Sequence, residues 1–267
     1  MIEAPLLARL ERFPIVGSTN DVVRGWLADG TPEICIAVAD EQSAGRGREG
    51  RIWAAPAGRA LLLSAGFRPM WLEPNRVWRL AAGVSLAMAA AAEDVGQLAP
   101  GTIRLKWPND LVVEVDGEVR KLAGVLGETE GLGGADPRAV VGIGINADWP
   151  ASEFPDPIAA SMTSLREIAG GRSVDRERLL ESFTSRLGTE IEALRGGAFD
   201  ASIWQSRQLT NGRLVRIDHT DRPGDIVQAV RVDPISGALF VRDDRGSGTE
   251  RPIFSGEIQH LRVVGTV

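Results

Sequence analysis

Residues 111–128 read LVVEVDGEVRKLAGVLGE, two apolar arms around Asp116-Gly117. Asp-Gly is a favoured pair for a type I′ turn, whose two central residues both need positive φ. The stretch is therefore expected to be a β-hairpin. Before it, ICIAVAD (34–40), ALLLSAGF (60–67) and IRLKW (103–107) read as buried strands, and after it so does AVVGIGIN (139–146). Asn20 or Thr19 can cap a short helix in DVVRGWLADG (21–30), with Val22, Val23, Trp26 and Leu27 on one face. Val77, Leu80, Ala81, Val84 and Met88 repeat at helical spacing and predict an amphipathic helix from Asn75 to about Glu93. Leu179, Leu180, Phe183, Leu187, Ile191 and Leu194 predict a second long helix. From Thr210 the pattern changes to short strands with frequent turns: RLVRID, IVQAVRVD, ALFVRDD, ERPIF and EIQHLRVV. The expected architecture is α+β, followed by a small all-β, barrel-like module.

The chain has 267 residues, 43% of them hydrophobic and 25% charged, an ordinary globular composition. A single cysteine, Cys35, excludes an intramolecular disulfide and a cysteine-based zinc site. Two histidines, His219 and His260, leave little for a histidine-centred triad or metal site. The net charge of −6 weighs against general nucleic-acid binding, which favours an excess of Lys and Arg. No apolar run approaches the roughly 20 residues that span a bilayer. The opening MIEAPLLARLERFP lacks the basic start of a secretory signal. These features predict a cytoplasmic protein that binds neither DNA nor membrane.

Four clusters carry chemistry. Gly45-Arg46-Gly47-Arg48-Glu49-Gly50 matches G-x-G-x-x-G, but Arg51-Ile52-Trp53-Ala54-Ala55-Pro56 follows where a dinucleotide fold needs a helix. Arg46, Arg48 and Arg51 on a glycine-rich loop instead suit a polyanion, since guanidinium stays charged and binds phosphate as a fork. In Lys106-Trp107-Pro108-Asn109-Asp110, Asp110 could hold Mg²⁺ while triphosphate oxygens and water complete its shell. Arg120-Lys121-Leu122-Ala123-Gly124 sets a cation beside small residues, and Gly142-Ile143-Gly144-Ile145-Asn146 ends a buried strand in an amide. Taken singly, each also has a plain structural reading: a solvated basic loop, an Asx turn, an exposed strand lysine, a strand followed by a turn.

Together and in this order, GSTN (17–20), EQSAGRGREGRIW (41–53), KWPNDL (106–111), RKLAGVLGE (120–128) and GIGIN (142–146) resemble the biotin–protein ligases, also called biotin–[acetyl-CoA-carboxylase] ligases. SGEIQHLR (255–262) resembles the closing strand of that family's SH3-like domain. The resemblance implies a mixed catalytic sheet with flanking helices, of the class II aminoacyl-tRNA-synthetase kind, over residues 1–208. A small SH3-like barrel is implied over 209–267. It also implies two half-reactions: biotin and ATP give biotinyl-5′-AMP, then a lysine of a biotin carboxyl carrier domain of an acyl-CoA carboxylase takes the biotin.

By the same resemblance Lys121, Arg48 and Arg51 steady the reacting anions, with Arg46 and Gly47 close by. Asp110 is the Mg²⁺ ligand. Ser18, Thr19, Asn20 and Gln42 meet the ureido ring. Trp107, Leu122, Ala123 and Gly124 line an apolar slot. Trp53 and Asn146 stand near the nucleotide, and Lys106 and Asn109 are also expected among the substrate-binding residues. No side-chain nucleophile is needed, in keeping with the poverty in Cys and His. The sixteen residues before Gly17 are too few for the DNA-binding domain that some family members carry, so no repressor role is expected. The nearest alternative is a lipoate or octanoate ligase or transferase, and a non-enzymatic binding protein is the alternative of another class. A homodimer through a sheet edge and a monomer both remain compatible with the sequence.

Overall fold

The computed structural model describes residues 7–218, 224–243, 248–254 and 256–260. A seven-stranded sheet runs in spatial order β1 (Arg9–Val16), β2 (Cys35–Gln42), β3 (Ala60–Phe67), β7 (Arg138–Asn146), β6 (Glu118–Glu130), β5 (Asp110–Val115) and β4 (Arg104–Lys106). β1 and β2 are parallel and the other neighbours antiparallel, so the sheet is mixed. The expected hairpin is β5–β6, with φ 52° at Asp116 and 76° at Gly117 as a type I′ turn requires. β1 is a strand that the sequence pattern did not announce. Pro14 interrupts its alternation and removes an N–H, which an edge strand tolerates.

Two helical layers cover the sheet. α1 (Thr19–Ala28) packs Val23, Trp26 and Leu27 onto Cys35, Ala37 and Val140, on one face. It starts from Ser18 rather than from the expected Thr19 or Asn20. On the other face, α2 (Trp78–Gly96) lies against α5 (Arg176–Arg195), and together they bury Leu80, Met88, Phe183 and Leu187 over the centre of the sheet. α2 begins three residues later than expected because Pro74–Arg76 form a separate 3₁₀ turn. Asp175 caps α5, accepting from the N–H groups of Glu177 and Arg178. Short helices α3 (Asp156–Ala159), α4 (Leu165–Ile168) and α6 (Ala201–Ser206) fill the connections.

A second, antiparallel sheet follows in the order β11 (Arg251–Ile253), β10 (Leu239–Asp243), β9 (Asp225–Val232), β8 (Leu214–Asp218) and β12 (Glu257–His260). The rest of the expected closing strand, 261–264, lies outside the described residues. The two sheets share one apolar core, in which Trp107, Val215, Ile217 and Leu239 belong to a single cluster. Two further contacts tie them. Trp107 Nε1–H donates to Gly237 O (3.1 Å), and Thr210 Oγ1 accepts from Trp107 N–H (3.1 Å).

Candidate functional site

Beside α1, the sheet surface opens into a cleft of about 120 Å³. Its floor is made of glycine. Gly124 and Gly144 are cross-strand partners, and the indole of Trp53 lies on both. A Cβ at Gly144 would come within 2.5 Å of Trp53 Nε1, and one at Gly124 within 3.1 Å of Trp53 Cζ3. Sequence reasoning noticed the alternation Gly142-Ile143-Gly144 but drew only Asn146 from it. The signal was the period of two, which turns both glycines to one face.

Lys121 reaches this face through an irregularity. Asp110 pairs with Gly124 and Leu111 with Ala123, but Val112 pairs with Lys121, so Leu122 is an extra residue in β6. Such a bulge re-aims side chains. Here it turns Lys121 to the side occupied by Asp110 and Gly124. Without it, the odd spacing from Gly124 would point Lys121 to the opposite face. The backbone of Lys121 is then held by residues 161–163, donating to Ser161 O (2.8 Å) and accepting from Thr163 N–H (2.9 Å). Lys121 Nζ sits 2.7 Å from Asp110 Oδ1 and 5.4 Å from the centre of a Trp53 ring.

The polar end of the cleft is a chain of hydrogen bonds starting at α1. Gln42 Oε1 accepts from Thr19 N–H (2.7 Å). Ser64, fully buried on β3, has its Oγ 2.7 Å from Thr19 Oγ1 and 2.6 Å from Asn20 Oδ1. A hydroxyl carries one proton. Ser64 donates to Asn20 Oδ1, and the single proton of Thr19 Oγ1 is shared between Ser64 Oγ and Gln42 Oε1, 3.0 Å away. Asn20 Nδ2 donates to Glu128 Oε2 (2.9 Å), which fixes the orientation of its amide because a carboxylate only accepts. Ser18, at the helix start, lines the cleft and its side chain caps nothing. Sequence reasoning found Ser18, Thr19, Asn20 and Gln42 and missed Ser64 and Glu128. Ser64 reads there as one more residue of an apolar strand.

The glycine/arginine segment is a small hairpin over the cleft, with Arg46 bridged to Ile52 and Gly47 N–H donating to Arg51 O (2.7 Å). Its tip, Arg48–Gly50, is a 3₁₀ turn, not the helix of a dinucleotide fold. Arg46 is held at the base of the loop by both oxygens of Asp21, at 2.7 and 2.8 Å. The guanidinium keeps the Asp21 carboxyl below the usual carboxylate range. Arg48 and Arg51 both line the cleft. Arg48 Nη1 also donates to Gly256 O (3.2 Å), so the loop touches the second sheet.

The KWPND turn joins β4 to β5 through a cis Trp107–Pro108 peptide. Asn109 lines the cleft and locks to β6, donating from Nδ2 to Val125 O (2.8 Å). Lys106 pairs with Asp110 across this turn, but lines a neighbouring groove of about 540 Å³ instead of the cleft. Burial pushes its ammonium pKa down, and the cations Lys121 and Arg51 push the same way, against Asp110 and Asp218.

Four expectations are corrected. Leu122 and Ala123 have no exposure and belong to the core, because the bulge and the strand period turn them from the cleft. Trp107 is 5% exposed and packs towards the second sheet, so the cleft floor is Gly124, Gly144 and Trp53 instead. Asn146 is fully buried, with Nδ2 donating to Thr163 O (2.9 Å), which leaves it behind the cleft as a strut.

Among the described residues no three metal-ligating side chains cluster. Mg²⁺ bound to a nucleotide needs only one or two protein carboxylates, the phosphates supplying other ligands. Asp110, on the cleft beside Lys121, fits that limited role.

Residues 13–146 match the biotin/lipoate A/B protein ligase family. The chain is 34% identical over 252 residues to a biotin–[acetyl-CoA-carboxylase] ligase of Mycobacterium tuberculosis, covering 92% of this chain and 86% of that one. It is 33% identical over 252 residues to the bifunctional ligase/repressor BirA of Escherichia coli, covering 92% and 72%. Among solved structures, the biotin protein ligase from Aquifex aeolicus in complex with biotin and ATP superposes with a TM-score of 0.75, at 26% identity over 95% of this chain and 99% of that one. No described helix is long and apolar enough to cross a membrane.

Proposed function

This chain belongs to the biotin/lipoate A/B protein ligase family, and on that premise we propose that it activates biotin with ATP and passes it to a lysine of a carboxylase's carrier domain. The observation that carries the reading is Lys121, turned by a bulge onto a glycine-floored cleft under a loop that bears Arg48 and Arg51. Biotin's ureido group carries donors and an acceptor, and Ser18, Thr19 and Gln42 match them at the polar end. Its bicyclic body and chain lie along the cleft floor, where Gly124 and Gly144 seat the indole of Trp53. Its carboxylate then reaches Lys121.

The reaction brings two anions together. An oxygen of the biotin carboxylate attacks the α-phosphorus of ATP in line, and pyrophosphate leaves. Charge gathers on the α-phosphate oxygens as this happens. Cations already in place stabilise that charge without reorganising. Lys121 is one, kept oriented by Asp110 at 2.7 Å, and Arg48 and Arg51 are the others. Asp110 would hold Mg²⁺, which would supply further charge neutralisation to the triphosphate. The loop over the cleft keeps water from the mixed anhydride. The acceptor lysine then attacks the biotinyl carbonyl, and AMP leaves.

Two finer points belong to this reading. Residues 1–208 form the catalytic unit, and the small antiparallel sheet of 209–267 is an SH3-like module. Exchange of label between pyrophosphate and ATP is the test. The proposal requires exchange that depends on biotin and not on lipoate. Exchange with lipoate alone, or none, overturns it.

A further inference from the structure

Glu128 lies outside the cleft, in the groove beside it, but holds the polar end of the cleft from behind. Gly124, Leu126 and Glu128 alternate along β6, and Glu128 pairs with Val140, on which α1 packs. The three residues therefore share the α1 face of the sheet. Asn20 reaches from α1 over Gly142, where a Cβ would come within 2.2 Å of Asn20 Oδ1. Glu128 Oε2 accepts from Asn20 Nδ2 (2.9 Å) and from Arg24 Nη2 (2.6 Å), and Arg46 Nη2 stands 3.6 Å from Glu128 Oε1.

The direction of these hydrogen bonds decides what a ligand meets. The carboxylate accepts, so Asn20 turns Nδ2 to Glu128 and Oδ1 to Ser64. Ser64 gives its proton to Asn20 and keeps its lone pairs for Thr19. The proton of Thr19 points into the wall, towards Ser64 Oγ and Gln42 Oε1. Thr19 Oγ1 is left with lone pairs for a donor in the cleft. With the Asn20 amide reversed, Nδ2 would face Ser64, and Ser64 would give its proton to Thr19 Oγ1 at 2.7 Å. One acceptor site on Thr19 would then be spent on the protein.

Resting on the ligase reading, we propose that Glu128 is a positioning residue for biotin: acting through Asn20 and Ser64, it keeps Thr19 an acceptor for a ureido N–H. Its neighbours separate this role from that of the loop. Arg46 grips both oxygens of Asp21, and Arg24 Nη1 donates to Asp21 Oδ1 at 2.7 Å. Loss of Glu128 therefore leaves the base of the loop tied to α1. What it removes is the acceptor that orients Asn20, whose Nδ2 keeps only a long contact to Leu126 O (3.5 Å).

The test is biotin-dependent pyrophosphate exchange by wild type, Glu128→Leu, Glu128→Gln and the double variant Glu128→Leu with Asn20→Asp, with KM read separately for biotin and ATP. Leucine accepts nothing, so Glu128→Leu should raise the biotin KM about tenfold and leave kcat and the ATP KM where they were. Glutamine still offers an oxygen to Asn20 and Arg24, so Glu128→Gln should recover most of the difference. An aspartate at position 20 has two like acceptors and takes the Ser64 proton in either orientation, so the double variant should bind biotin better than Glu128→Leu alone. Biotin and ATP KM values that rise together, an unchanged biotin KM in Glu128→Leu, or a double variant no better than Glu128→Leu would each overturn the inference and leave the ligase reading standing. A wild-type chain with no exchange would overturn both.

Discussion

Gly144 has no room for a side chain because Trp53 lies on it: a Cβ there would sit 2.5 Å from the indole nitrogen. Gly144→Ala therefore displaces the indole, and overpacking of this kind costs about 1–3 kcal/mol. The variant should unfold at lower denaturant and bind biotin about tenfold more weakly by calorimetry. Adding Trp53→Ala removes the clash, so the double variant should recover part of the lost stability. Strictly additive losses would show that the two residues do not meet.

Ser64 stands between Thr19 and Asn20, at 2.7 and 2.6 Å. Ser64→Ala leaves two buried oxygens without their shared partner, a loss of about 1–3 kcal/mol. The expected result is biotin affinity lowered by about tenfold or more with ATP affinity unchanged. Equal weakening of both ligands would place the role of Ser64 in general stability instead.

Lys121→Met removes the cation nearest Asp110 and leaves that half-buried carboxylate unpaired. Removing one preorganised donor to a developing anion typically costs about 10²–10³ in rate. Biotin-dependent pyrophosphate exchange should fall by that much. Asp110→Asn added to Lys121→Met should restore little, since it relieves the stranded charge without replacing the cation. Near-normal exchange in Lys121→Met would remove this lysine from the chemistry.

Much of this architecture was legible in the sequence, for identifiable reasons. Asp116-Gly117 announced its hairpin because few residue pairs tolerate two consecutive positive φ values. The helices α2 and α5 showed their apolar spacing, and the clusters around Arg48, Lys106 and Lys121 stood out by composition. What stayed hidden depends on register. Nothing local marks Leu122 as the bulged residue, yet the bulge alone sends Lys121 to the cleft and Leu122 to the core. Ser64 needed the β2–β3–β7 register to bring it beside α1. β1 was masked by Pro14, which only its edge position permits. Asn146 was named for its polarity, but its amide faces Thr163 O inside the protein.

The guanidinium of Arg48 spans the loop and the second sheet through Gly256 O at 3.2 Å. Arg48→Gly removes that tie and one cation from the cleft together. The variant should still form biotinyl-AMP but lose it to solvent, so the adenylate should appear in an ultrafiltrate where the wild type retains it. An adenylate retained equally by both proteins would contradict this role.

The most direct measurement is the intact mass of a biotin carboxyl carrier domain after incubation with this chain, biotin, ATP and Mg²⁺. The account predicts a carrier heavier by one biotinyl group, formed only when all components are present and absent when the acceptor lysine is replaced. A carrier of unchanged mass, with no biotinyl-AMP on the enzyme, would contradict it.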